Sequence, residues 1–519
     1  MTHHLLIRIA ACLLTLVCVA NARTAEDGDT PPLDRRIRLA AGKGTVYRLL
    51  KEVSAQSGFL FIYDSRTVDN DRRTSIAKGE YTLRDAIRII TRNPALQIDV
   101  QGKHILLRPP AADNPPQPPA TAKSSDATVI QGSLHDLETG ESVVYATVNL
   151  INTSIGTVTN HNGQFRLVVP DSLRHADVKF SHIGYESRET GVALLVGQTV
   201  DFALEPRVIS LQEIEIRRIN PLREIRDMLD RRGENHPQTP AGLTTFYREG
   251  IEHRRRVIDL SEAVLEIYKT GYGADASGDH VRLVRKRHVT RVQPGDTILP
   301  KMKSGIRSCL ILDIMKELPE FITPDDEARY DYAHEDIRTV DDRLVNVISF
   351  RQKPHIDEPL FAGELFIDDR RKALEEIRFQ VNPEHVGKAT NLFIDRKAHH
   401  LTLTLRQAAY IVSYKPLHPA SPYYISHVRG DIVFRVRKKG HLFSAPLHFW
   451  FEMVTCRTDT ADVRPIPRAE RFAPAQIFAD AIHAGDEDFW ENFNIILPEE
   501  KLKEAIISSL SEVVVQARQ

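Results

Sequence analysis

Between Pro109 and Asp126 the chain reads PPAADNPPQPPATAKSSD. Proline fixes φ and has no N–H to donate, and the Ala, Ser, Asp and Asn between the prolines offer no core, so this stretch favours extended polyproline II. The chain is thereby divided, and whatever folds on either side of the stretch has to bury its own core. A length of 519 residues points to three or four domains. At 42% hydrophobic and 27% charged residues the composition suits globular domains. The formal net charge is -1, so no overall field draws the chain to nucleic acid or to an anionic membrane, and a nucleic-acid partner is not expected.

The first residues carry an export signal pattern. His3, His4 and Arg8 precede the apolar run Ile9–Val19, which is too short to span a bilayer and ends in Ala20-Asn21-Ala22. Residues 1–22 are expected to be a signal peptide cleaved after Ala22. Thr15, Leu16 and Val17 put no small residue directly before Cys18, so lipidation there is not expected. The expected location is the periplasm, peripheral to the outer membrane. Cleavage leaves Cys309 and Cys456, for which one bridge and two separate buried thiols are both open. No later run approaches the ~20 apolar residues of a membrane-spanning helix.

Residues 35–108 alternate strand and helix patterns. Thr45 to Gln56 places Val46, Leu49, Leu50 and Val53 on one helical face, with Gly58 as a stop. A second helix starts at Thr82 with Asp85 three residues on, and Asn93-Pro94 ends it. Strands are expected at Ile37–Leu39, Phe59–Tyr63, Leu96–Val100 and His104–Leu107, and Gly42-Lys43-Gly44 as a turn, too short for a phosphate loop. Lys and Arg outnumber Asp and Glu in this segment, which makes an acidic partner conceivable beside the plainer role of a solvated helix face. The stretches EVSAQSGFLFIYDSRTV, GEYTLRDAIRIITRNPALQIDV and GKHILL resemble the secretin and TonB N-terminal short domain. That resemblance implies a small α+β periplasmic module that binds protein and does no chemistry, as part of a TonB-dependent uptake or signalling system.

Residues 128–206 break into short β-branched runs separated by glycine, with Val143–Ile151, Gly156–Thr159, Gln164–Val169 and Val178–Ser181 as strands and Asn160-His161-Asn162-Gly163 as a turn. GSLHDLETGESVVYATVNLINTSIGTVTNHNGQFRLVVP and FSHIGYES resemble the carboxypeptidase-type regulatory domain, which implies an immunoglobulin-like β-sandwich. Gly132, Asp136, Thr139-Gly140, Gly156, Thr159, Gly163, Phe165 and Gly184-Tyr185 fall on the family pattern. Where that family usually has Asp, this chain has Asn160, so calcium is not expected there. His135 and Glu138 make an H-x-x-E spacing, but within a sandwich strand and turn they are not expected to hold zinc.

Residues 217–519 hold a helical pattern at Pro221–Arg232 and then many strand-like runs, Tyr423–Val428 and Gly430–Val436 among them as separate strands, which favour an antiparallel sheet. FYREGIEHRRRVIDLSEAVLEIYKTGY, GELFIDDRRKALEEIRFQV and DEDFWENFNIILPEEKLKEAI resemble the C-terminal region of exported proteins that carry a carboxypeptidase-type regulatory domain; GELFIDDRRKALEEIRFQ is also similar in style to lipoprotein-carrier half-barrels. The chain lacks H-E-x-x-H, G-x-S-x-G and G-x-x-x-x-G-K-[ST]. His334 and the pair His399-His400 lack ligand spacing, and Asp341-Asp342, Asp368-Asp369 and Glu375-Glu376 read as solvated turn or strand-edge residues. Charges at alternating positions in the strands argue against an outer-membrane barrel.

The fold class expected is therefore multi-domain α+β and all-β: a small α+β domain, an Ig-like sandwich and a larger, mainly antiparallel β domain. The function expected is a non-enzymatic envelope adaptor with a protein partner and without catalytic residues, cofactor or metal. The alternative is a C-terminal domain that is an enzyme or a lipid- or ligand-binding half-barrel. Limited proteolysis of the mature protein should cut first between Pro109 and Asp126; earlier cleavage inside either flanking domain would refute the linker.

Overall fold

The computed structural model describes residues 31–63, 68, 72–101, 104–108, 127–207, 219–254, 256–290, 301–302, 305–323, 328–396, 401–440, 444–474, 478, 490 and 493–499. The signal pattern, the proline-rich stretch and His399-His400 lie outside the described residues. The chain forms two compact units, residues 1–120 and 121–519.

In the first unit the elements run β1 (Arg36–Leu39), β2 (Gly42–Thr45), α1 (Val46–Ser57), β3 (Leu60–Tyr63), β4 (Arg73–Ile76), β5 (Gly79–Thr82), α2 (Leu83–Thr91), β6 (Gln97–Gln101) and β7 (His104–Arg108). Both helices start on a threonine cap, Thr45 accepting from the Arg48 N–H and Thr82 from that of Asp85. Gly58 closes α1 in the left-handed region at φ 72°. β1 pairs with β5 and β2 with β4, both antiparallel, while β3 lies parallel to β7 and β7 antiparallel to β6. Val46, Leu49, Leu50 and Val53 of α1 and Leu83, Ala86, Ile87 and Ile90 of α2 form one core with Ile105 and Leu107. The glycines expected to turn at Gly42 and Gly44 are instead in a strand. A side chain at Gly42 would meet Leu49 at 2.9 Å, so the pair lets the ribbon pass close to the helix it feeds.

The second unit begins with a sandwich: β8 (Ala127–Asp136), β9 (Thr147–Leu150), β10 (Gly156–Val158), β11 (Gln164–Pro170), β12 (Asp177–Ser181), β13 (Arg188–Gly191) and β14 (Thr199–Leu204). One sheet has the order β11-β8-β14 and the other β10-β9-β12-β13. Phe180 packs between Phe165 and Phe202, with centroids 5.2 and 4.8 Å away. The strand expected over Val143–Ile151 shortens to Thr147–Leu150, because Tyr145 takes φ 60° and breaks the extended run. Gly163 closes the Asn160 turn at φ 70°, and a Cβ there would lie 2.2 Å from the Leu134 carbonyl, so only glycine fits.

After α3 (Pro221–Asp230) the chain builds β15 (Ala241–His253), β16 (Arg256–Lys269), β17 (His280–Thr290), β18 (Lys301–Met302), α4 (Gly305–Ile311), β19 (Tyr330–Val340), β20 (Arg343–Gln352), β21 (Phe361–Asp368), β22 (Leu374–Val381), β23 (Ile394–Arg396), β24 (Leu401–Pro416), β25 (Tyr423–Lys438) and β26 (Ser444–Asp459). Apart from the short β18–β23 pair, these form one ten-stranded antiparallel sheet in the order β17-β16-β15-β26-β25-β24-β22-β21-β20-β19. Two strands expected at Tyr423–Val428 and Gly430–Val436 are in fact one. Gly430 is no break; a Cβ there would meet the Phe451 ring at 2.3 Å, so the glycine makes room for an aromatic across the pair.

The sheet is covered on both faces. On one, Ile225 and Met228 of α3 and Ile306, Cys309 and Leu310 of α4 pack with Tyr247, Phe350, Phe379 and Phe451. On the other, Val158 of the sandwich packs with Phe246, Val264, Val454 and Cys456, and Ile183 with Val345, Val347 and Phe366. Cys309 and Cys456 are thus separate buried thiols in different clusters.

Candidate functional site

The register of the large sheet sets one row of charges across its sandwich-facing side. Arg429 stands opposite Glu452, Glu452 opposite Arg248, Arg248 opposite Glu262, and Glu262 opposite Arg287. Alternate residues of a strand share a face, so one such charge per strand aligns the whole row. Arg248 is 2% exposed and Glu262 1%, and the Arg248 Nε donates to Glu262 Oε1 at 2.7 Å. Arg287 Nε reaches the other oxygen of Glu262, also at 2.7 Å. Burial works to raise the Glu262 pKa, but the two guanidiniums win and hold it below the usual carboxylate range. Glu452 likewise sinks to about 2 despite its burial, held by a 3.0 Å contact with His427 and by Arg429. Arg429 forks onto Asp431 with two bonds of 2.9 Å and stacks 4.7 Å over Trp450.

The sandwich seats its family turns against this row. The Tyr145 ring lies 4.8 Å from His427, and its hydroxyl meets His161 at 2.8 Å. Asn160 accepts from the N–H groups of Asn162 and Gln164, both at 2.9 Å, and donates to the Leu497 carbonyl at 3.0 Å. Segment 493–499 is strapped in between: Arg166 donates to Phe493 O at 2.7 Å, and Arg248 bonds to Ile496 O at 2.5 Å. Gly184 N–H donates to Thr339 O at 2.8 Å. The cavity left between Tyr145, His161, Arg248, Arg429 and Glu452 is about 110 Å³. That is room for a few waters at ~30 Å³ each and far below the ~300 Å³ of a small-molecule site. Its arginines are already paired, so the seam is a structural joint.

Other buried charges behave alike. Asp313 accepts from Tyr272 and Tyr414, each at 2.8 Å, and pairs with Lys269 at 2.7 Å. Glu249 differs: burial pushes it up to about 7, and it shares a 2.5 Å bond with Tyr247 where α4 crosses at Gly305.

Of the paired carboxylates expected to be solvated, Asp342 stays exposed as expected, Asp341, Asp369 and Glu376 are half-buried, and Asp368 and Glu375 are buried. Asp341 and Asp342 form the β19–β20 turn at φ 49° and 60°, and Asp341 bonds to Ser187 and, at 3.0 Å, to Lys179 of the sandwich. Asp342 pairs with Arg207. Asp368 and Glu375 are both buried on Arg343, and Asp368 also accepts from the Arg370 and Arg371 N–H groups at 2.9 and 2.7 Å, which folds the β21–β22 turn back over it. Glu376 accepts from Ser413 at 2.8 Å. His135 meets Asp201 at 3.0 Å, and His334 lies on edge strand β19. Among the described residues no group of three or more His, Cys, Asp or Glu could hold a metal. The charge row escaped sequence reading, although its signal was present as single charges in the middle of long β runs.

The first unit offers the opposite situation. Lys43, Arg48, Arg73 and Arg92 border an open groove of about 570 Å³ floored by the β2–β4 ribbon. All four are exposed, and among the described residues no carboxylate lines it.

Residues 130–216 match the CarboxypepD_reg-like domain family. This part of the chain is a carboxypeptidase-regulatory-like domain. Its match runs past the expected boundary at 206, and the family turns at Asn160–Gly163 and His182–Tyr185 are the ones the CarboxypepD_reg-like domain turns toward the large sheet. No curated protein matches the chain in sequence. Among solved structures, an outer membrane lipoprotein-sorting protein domain from Vibrio parahaemolyticus is similar at 10% identity, covering 47% of this chain and 94% of that one with a TM-score of 0.19. The Pseudomonas aeruginosa MucA/MucB complex aligns at 13% identity over 45% of this chain and 93% of that one, with a TM-score of 0.16. A DUF1329 family protein from Desulfovibrio piger aligns at 10% identity over 47% and 95%, with a TM-score of 0.21.

Two outcomes follow from the joint. Arg248→Met should cost about 3 kcal/mol in urea unfolding, the low end for breaking a buried pair, because Arg287 still bridges Glu262; a loss within experimental error would show the row to be dispensable. His182 sits where the domain meets Glu376 and Arg378, and burial pushes its imidazole from 6.5 down to about 4. The unfolded chain therefore takes up this proton first, so the contribution is full above about pH 6.5 and fades as pH falls toward 4. His182→Gln should flatten the urea midpoint against pH in that window; an unchanged slope would refute the assignment.

Proposed function

We propose that this chain is a non-catalytic adaptor or accessory protein of the Gram-negative cell envelope, in which the first unit docks a protein partner. The observation that carries this reading is the contrast in charge. Apart from Glu249, the buried charges described for the second unit are matched within the fold, whereas the first unit gathers four exposed cations around one groove. Unmatched exposed charge is what steers and selects a partner; matched buried charge is spent on the fold. The export pattern in residues 1–22 supports a periplasmic site of action, and the likeness of residues 35–108 to the secretin and TonB N-terminal short domain supports a TonB-dependent system as the setting. No described helix is long and apolar enough to cross a membrane.

A second reading, an enzyme in the large domain, is favoured by Glu249 alone, a buried carboxyl brought to about 7 as a general acid or base would be. Deletion of residues 35–108 separates the two. The adaptor reading expects the truncated protein to stay folded and to disappear from an envelope complex recovered by crosslinking. A turnover that survives the deletion and is lost in Glu249→Gln, with complex membership intact, would replace it with the enzyme.

A further inference from the structure

We infer that the groove of the first unit is a binding site for an acidic peptide segment, an extended stretch of Asp and Glu side chains. The inference rests on the docking role proposed above and names the partner's chemistry. The cations come from separate places in the sequence and converge only on folding: Lys43 from β2, Arg48 from the first turn of α1, Arg73 from β4 and Arg92 from the residue that caps α2. Strand pairing sets Lys43 opposite Ser75 and Thr45 opposite Arg73, which places cations along both strands of the ribbon. Gly44 lies between them, and a Cβ there would stand 3.2 Å from Arg48 Cδ, so the missing side chain lets the arginine stem lie close over β2. Arg92, the residue that caps α2, is held in the left-handed region at φ 46°, a conformation unfavourable for a non-glycine residue, and it borders the groove.

Thr74 borders the groove but buries its side chain on the strand face opposite Arg73 and Ser75, so the polar lining open to a ligand is that of the four cations with Thr45 and Ser75. Among the described residues the four groove cations have no ion pair, and the ion pairs found there in this unit, Arg84–Asp34 and Arg108–Asp99, lie elsewhere. A concave site of about 570 Å³ suits carboxylate side chains reaching in from a chain. A lipid surface would be met better by cations on a flat or protruding face flanked by apolar side chains. Both ribbon strands also have a free edge within the two-stranded sheet, along which an extended segment can run.

The test uses the mature full-length chain and a fluorescent decapeptide of mixed Glu and Asp, with vesicles of 30% phosphatidylglycerol in phosphatidylcholine as the second probe. Wild type should bind the peptide, and affinity should fall at least tenfold between 50 and 300 mM salt. Arg48→Glu with Arg73→Glu should abolish binding, while Lys51→Glu with Lys78→Glu, an equal change of charge at residues that do not line the groove, should leave it within twofold. Lys43→Gln with Arg92→Gln should weaken it at least fivefold, which guards against loss through misfolding of the reversal variant. Equal losses in groove and control variants would reduce the effect to net charge and overturn the site. Binding to vesicles with none to the peptide would overturn the partner's chemistry. Loss of complex membership on deleting residues 35–108, together with no peptide binding, would sink this inference and leave the adaptor reading standing.

Discussion

The large sheet depends on one pairing, that of β15 with β26. These strands lie about two hundred residues apart in sequence, and their union joins the β15–β17 meander to the other seven strands of the sheet, β26 first among them. Arg248 stands opposite Glu452 in that pair, in the middle of the charge row. A slip of β26 by one residue would turn Glu452 onto the helix-covered face among Tyr247 and Phe451 and leave Arg248 on the other; a slip of two would leave each buried against a neutral neighbour. An unpaired buried charge costs several kcal/mol, so the row penalises every wrong register. Its main contribution is to specificity, since an apolar row of similar volume would hold the strands about as well.

The same row decides where the CarboxypepD_reg-like domain sits. Apolar contacts flank it, with Val158 against Phe246 and Val454 to one side and Ile183 against Val347 and Phe366 to the other. Apolar burial drives such an association but is non-directional. Orientation comes from the polar fittings between: Tyr145 on His427, Asn160 on the 493–499 strap, and Lys179 and Ser187 on the Asp341 turn. The sandwich is thereby part of the larger unit, which agrees with its falling in one compact body with the sheet.

Charge is used in two ways in this chain. In the second unit arginine and carboxylate are buried together, and the attraction gained in a poorly screened interior offsets the cost of leaving water. In the first unit the cations stay hydrated at the surface, where the interaction is longer ranged and responds to salt. A nearly neutral total charge conceals that division. It becomes visible only when the residues are sorted by where the fold puts them.

Much of this was legible in the sequence. The threonine caps at Thr45 and Thr82, the stop at Gly58, the apolar stripes of the two helices and the glycine turn after Asn160 are local signals, and local backbone chemistry is enough to determine them. The regulatory-domain pattern was readable for the same reason, because its turn glycines and core positions are spaced by the sandwich itself. Tertiary structure alone decided the rest. Gly430 looked like a strand break until Phe451 occupied the space it leaves, and Asp368 and Glu375 looked solvated until Arg343 folded over them. The charge row and the basic groove join residues from distant strands, and their energies depend on register, burial and neighbours that no window of sequence contains.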